Sequence, residues 1–180
     1  MKKNILNLLL FQVGWFLCVY FVASQSEWLA IISLGAVILV HLLIVKNYVN
    51  ELKIIFTAGL AGLILDTVLI NTGVFIPVSD YMTSNIAPVW LIGLWMLFGI
   101  SLNHSLRWLQ QRYLMAAVLG LISAPLAYYA GQRFGALDFS GHESVTGSLL
   151  TIGLCWFFMT PLLLAMSKEF HCSQVKGDQV

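Results

Sequence analysis

Charge is scarce in this chain. Acidic and basic side chains together make up 9% of its 180 residues, against about 25% in an ordinary soluble domain. So few charges cannot coat a water-facing surface, which excludes a soluble globular protein. The two signs nearly balance, at a formal net charge of +1, which argues against a nucleic-acid partner. Cysteine is equally sparse. Cys18 and Cys155 fall inside apolar runs, and Cys172 lies in the polar C-terminal stretch. No CxxC or Cys/His spacing joins them, so neither a disulfide framework nor a zinc site is indicated. There is no phosphate-binding glycine loop, no GxSxG elbow, no HExxH and no run of paired acids for Mg²⁺. The sequence thus offers no catalytic residues and no cofactor signature. A lipid-modifying enzyme built on a few scattered polar groups stays open.

What the chain has in abundance is apolar sequence, at 59% hydrophobic residues. A spanning helix needs about 20 mostly apolar residues. Six such runs are present: Ile5–Ala23, Leu29–Val45, Ile54–Ile76, Pro88–Leu106, Leu114–Gly131 and Val145–Met166. The expected fold is all-α, a polytopic membrane bundle of six transmembrane helices over residues 1–167. The polar tail 168–180 reads as disordered. Pro88 suits the first turn of helix four, whose far end is amphipathic through Asn103, His104 and Arg107. Pro125 and Pro161 are expected to kink helices five and six.

Basic residues set the orientation. With a cytoplasmic N-terminus, Lys2, Lys3, Lys46, Lys53, Arg107, Arg112, Lys168 and Lys176 fall inside and only Arg133 outside, eight of nine basic residues. Both termini are therefore expected in the cytoplasm. The Lys-Lys start, apolar run and Val22-Ala23-Ser24 have the outline of a cleavable signal. The run is long for a signal and contains Gln12 and Trp15, so it is read as a retained helix. Trp28, Tyr81, Trp90, Tyr128 and Tyr129 fit an outer aromatic belt, and Tyr48, Trp108 and Tyr113 an inner one. Trp15, Trp95 and Trp156 lie deeper.

Asp66 stands out, about a dozen residues into helix three and near the expected midplane. A charged group there costs on the order of 3 kcal/mol on insertion scales, so it should face the bundle interior. Two readings stand side by side: a ligand contact, proton carrier or cation site, and a buried acid bonded to its neighbours for structural reasons. Gly59, Gly62, Asp66 and Gly73 share a face, which lets a helix or a ligand approach closely. Gln12 on helix one is the expected partner of Asp66, and Asn71 extends a polar track outward. With Trp15, Trp95 and Trp156 these residues make a candidate ligand-binding set. His41, His104 and Arg107 near the inner boundary form a candidate grip on a lipid phosphate, or ordinary interfacial anchors. No two ligand-type residues have a helix-face spacing such as HxxxH, so no metal site is expected. Ala116, Gly120 and Ala124 form a small-residue seam on helix five. Asp138, His142 and Glu143 occupy an outer loop, either a lid over a pocket or an ordinary solvated loop.

Several segments resemble a family of small bacterial inner-membrane proteins, domain-of-unknown-function family 2878. They are NLLLFQVGWF, GLILDTVLINTGVF, PVWLIGLWMLFGISLNHSLRWL and APLAYYAGQRFG. The resemblance implies a bacterial inner membrane, supplies no activity, and leans towards lipid chemistry. A looser likeness joins GLAGLILD and the six-helix length to substrate-binding components of energy-coupling-factor vitamin transporters and to the related rod-shape membrane protein. No coupling motif or vitamin-pocket signature accompanies it. The first expectation is a membrane protein that binds lipid or a small hydrophobic ligand, alone or with a protein partner. The second is a transporter component for a small solute, and the third a lipid-modifying enzyme.

Overall fold

The structure, a computed structural model, describes residues 2–78, 85–140 and 144–177. Six helices dominate it: α1 (Lys2–Ala23), α2 (Glu27–Ile44), α3 (Tyr48–Asn71), α4 (Val89–Leu102), α5 (Tyr113–Phe134) and α6 (Val145–Gly177). Two short antiparallel strands, β1 (Ile76–Pro77) and β2 (Leu137–Asp138), join the loop after α3 to the loop after α5. Five of the helices are long and apolar enough to cross a membrane. Their outward side chains are apolar too: Leu43, Leu114 and Phe158 are each 70% exposed or more, a surface that only lipid can cover. The chain is a multi-pass membrane protein with an all-α bundle fold.

The fourth helix differs from the others. Its 14 residues span about 21 Å, short of the roughly 30 Å hydrocarbon core. It packs against α1, α2, α3 and α6 and forms the centre of the bundle. Leu102 ends it, earlier than the apolar run to Leu106 suggests. Backbone turns follow through His104 and Ser105 to a short 3-10 turn at Arg107–Leu109. The polar residues that make the run amphipathic thus leave the helix.

Around α4 the helices are arranged α1, α2, α3, α6, α5, and the ring is sparsely joined at two places, between α5 and α1 and between α2 and α3. Asn7, His41, Glu51 and His104 meet at one end of the bundle. Gln110 donates to Ser167 at 3.1 Å, which puts the late part of α6 near the turn after α4. The strands lie at the opposite helix ends.

Both ends of the third helix correct the sequence reading. The third helix begins at Tyr48 rather than Ile54 and ends at Asn71 rather than Ile76. Asn47 caps it by accepting from the Asn50 backbone N–H. Residues read as a polar loop are therefore its first turns, and Asp66 moves from the middle to the C-terminal third, five residues from the end. The sixth helix continues through residues read as a disordered tail, as far as Gly177. Lys168 and Glu169 are good helix formers, and no proline or glycine intervenes before Gly177. The last three residues, with the loop positions Tyr81, His142 and Glu143, lie outside the described residues. At Asp138, the Ser140 hydroxyl and backbone N–H both donate to the carboxylate and hold it below the usual carboxylate range.

Glycine sets how closely α3 and α4 approach. The Trp95 indole lies over Gly62, where any Cβ would collide with the ring, and Gly99 brings α4 against the backbone of Ile55. Likewise Gly120, between Ala116 and Ala124, admits Thr160 and the Trp156 carbonyl of α6, as the small-residue seam anticipates. Gly62→Ala should lower stability by about 1–3 kcal/mol, the usual cost of overpacking. Gly35→Ala, with nothing within 4 Å of an added Cβ, should leave it unchanged or slightly raised. Unfolding midpoints in detergent measure both, and equal midpoints for the two variants would contradict the packing described.

Candidate functional site

Two groups of polar residues lie inside this apolar bundle. The first centres on Asp66, which is fully buried. Trp95 on α4 donates its indole N–H to one carboxylate oxygen at 2.7 Å, and Tyr128 on α5 donates its hydroxyl to the other at 2.7 Å. The carboxylate therefore joins three helices. Trp95 also stacks on Trp156 of α6, with ring centroids 4.3 Å apart and planes 23° apart.

Trp95, Tyr128 and Trp156 face a cleft of about 670 Å³. One wall is α1, through Leu8, Phe11, Gln12, Trp15, Phe16 and Val19, and the other is α5, from Ser123 to Phe134. The floor is α4 from Trp90 to Ser101 and on to Leu106, about 16 Å of helix from Trp90 to Ser101. The space is thus long and lies where the helix ring is open. Few contacts cross the gap; Trp15 and Phe16 meet Phe134 edge-on at 6.4 and 6.2 Å. The buried indole N–H of Trp90, a residue of the cleft wall, has no hydrogen-bond partner among the described residues.

The second group is at the other end of α4. Glu51, in the first turn of α3, receives His41 Nε2 at 3.2 Å on one oxygen and His104 Nε2 at 3.1 Å on the other. The two imidazoles meet edge to face, centroids 4.9 Å apart. Asn7 of α1 reaches His41 Nδ1 at 3.5 Å, donates to the Ile100 carbonyl at 2.9 Å and accepts from Ser105 N–H at 3.3 Å. Beside this group is a cavity of about 210 Å³, lined also by Leu6, Leu10, Ile44, Lys46 and Asn47.

Of the residues singled out in the sequence, Asp66, Trp95 and Trp156 come together, and Trp15 stands across the cleft from them. Gln12 lines the cleft but is not the partner of Asp66, both of whose oxygens are taken by Trp95 and Tyr128. Asn71 is exposed at the end of α3 and donates to the carbonyls of Thr67 and Asn85, pinning the segment before α4 instead of extending a polar track. His41 and His104 do meet, but both turn their Nε2 atoms to Glu51. A lipid phosphate there would face the Glu51 carboxylate. Arg107 is exposed and does not line the cavity.

Sequence reasoning missed Glu51 and Tyr128. The signal for Glu51 was present: Asn47 is a good N-cap and an acid in the first turn favours a helix start. Tyr128 was read as part of the interfacial belt, and no spacing within α5 shows that its hydroxyl turns inward.

These bonds order the Asp66 variants. Asp66→Asn keeps one acceptor for Trp95 and lets the Tyr128 hydroxyl accept from the new amide. Asp66→Leu leaves two buried donors bare, at about 1–3 kcal/mol each. Asp66→Asn should therefore stay folded with a modestly lower unfolding midpoint, and Asp66→Leu should be much less stable. The reverse order would show that the carboxylate does not hold Trp95 and Tyr128 in this way.

The sequence model of one family, described as "Protein of unknown function (DUF2878)", matches residues 4–162, which takes in α1 to α5, most of α6 and both polar groups. No curated protein and no solved structure matches the chain.

Proposed function

The chain belongs to the DUF2878 family, whose function is unknown, and from the cleft beside Asp66 we propose that it binds an elongated apolar molecule, the acyl chain of a membrane lipid, between α1 and α5. One observation supports this above the rest. A space of about 670 Å³ falls in the range of ligand pockets, about 300–1,000 Å³, and it runs along α4 where α1 and α5 make few contacts with each other. A groove of that length favours a chain over a compact solute. Its lining is aliphatic and aromatic, with Gln12, Ser101, Ser105 and Ser123 as polar exceptions. A headgroup or ester oxygen would find donors at these places.

Asp66 does not line the space. Its role in this reading is positional: it holds the Trp95 indole and the Tyr128 ring as part of the cleft. The protein sits in the bacterial inner membrane, as its family resemblance implies, with both termini in the cytoplasm. The orientation is supported by Lys46, Lys53, Arg107 and Arg112, which lie near the end of the bundle where His41 and Glu51 meet, while Arg133 lies at the opposite one.

A second reading, a solute-binding transporter component, has one observation in its favour: the cleft reaches Phe134, Ala136 and Leu137 beside the strands. Native mass spectrometry of the protein released from mild detergent separates the two. Wild type should retain lipid, and Ala127→Trp, which fills the cleft, should lose most of it while keeping its helical circular dichroism. A lipid-free wild type, a polar solute in place of lipid, or equal retention by Ala127→Trp would overturn the acyl-chain proposal.

A further inference from the structure

The group at the other end of α4 has a chemistry that the cleft does not use. We propose that His41, Glu51 and His104 form a binding site for a divalent transition metal of the zinc class. The donor set is two imidazoles and one carboxylate, which suits zinc and its first-row neighbours. Calcium and magnesium prefer all-oxygen surroundings.

The fold brings these donors together. His41 comes from α2, Glu51 from α3 and His104 from the turn beyond α4. One donor atom from each residue lies within 4.8 Å of the others. Bonds of about 2.0–2.2 Å place neighbouring tetrahedral donors about 3.3–3.5 Å apart. The His41–Glu51 and His104–Glu51 separations of 3.2 and 3.1 Å are already close to that. Binding needs the two rings, whose centroids are 4.9 Å apart, to swing together over one carboxylate. His41 and Glu51 are buried, so two of the three donors are held by packing.

Three protein donors leave a fourth position open, as in zinc sites that keep a water or a substrate group. The 210 Å³ cavity adjoins all three residues and gives that position space. Asn7 supplies the outer shell. When a metal takes His41 Nε2, the ring proton moves to Nδ1, where it needs an acceptor. Turning the Asn7 amide over presents Oδ1 there, at the expense of its present bonds to Ile100 and Ser105. That rearrangement opposes binding and makes Asn7 a tuning residue for affinity.

The site is separate from the cleft, so the two proposals fail independently. Protein purified without a histidine tag is stripped with chelator and titrated with Zn²⁺ against a chromophoric competitor, then with Co²⁺ followed by visible absorption. Wild type should take up one equivalent and give the intense visible bands of four-coordinate Co²⁺. Glu51→Gln and His104→Gln should each weaken binding by roughly a hundredfold, and Ala127→Trp should leave it unchanged. His104 is partly exposed and outside the helices, so His104→Gln keeps the test valid if Glu51→Gln does not fold. Equal titrations for wild type and His104→Gln, or a spectrum no different from aqueous Co²⁺, would mean an ion-pair cluster only and would overturn the proposal.

Discussion

Three helices share one carboxylate. Asp66 on α3 is fully buried and accepts from Trp95 on α4 and from Tyr128 on α5. A buried acid left bare costs several kcal/mol, and a buried N–H or O–H left bare about 1–3. Loss of Asp66 strands both donors, and loss of either donor leaves one carboxylate oxygen bare. The sixth helix joins through the stack of Trp156 on Trp95. The position of these rings fixes the floor and one corner of the cleft, so its shape follows from a hydrogen-bonding requirement as well as from apolar packing.

The short α4 makes both polar groups possible. A helix of full membrane length in its place would run through the level where the chain now turns. By stopping at Leu102 it lets His104 fold back towards α2 and α3, while its first turns carry Trp90 and Trp95 along the cleft. The same helix therefore serves two regions of different character, one apolar between α1 and α5, the other ionisable where α1, α2 and α3 meet the turn after α4. Glycines 62 and 99 let it sit deep enough to do so.

Much of this was readable in the sequence, and the exceptions share a physical cause. The helix count, the all-α class and the importance of Asp66, Trp95 and Trp156 follow from hydropathy and from the cost of a charge in an apolar segment. The pairing of Asp66 did not. Depth along α1 made Gln12 plausible, but partner choice depends on which helices are neighbours, and a single sequence does not encode adjacency in any local pattern. Glu51 was hidden by a boundary error: six residues of α3 looked polar enough to be a loop, and the partners of Glu51, His41 and His104, lie on α2 and beyond α4. His41 and His104, 63 positions apart, show no ligand spacing because the spacing is made by tertiary structure. Asn71 failed for the opposite reason, since a polar residue at a helix end usually serves the backbone around it.

The order of synthesis gives the Asp66 arrangement one more consequence. The ribosome delivers α3 before α4 and α5, so the acid enters the membrane with neither of its donors yet made. Trp95 emerges about thirty residues later and Tyr128 about sixty, several seconds apart at about 5–20 residues per second. Over that interval the acid lacks both of its final donors, and α3 cannot complete its packing until the fifth segment arrives.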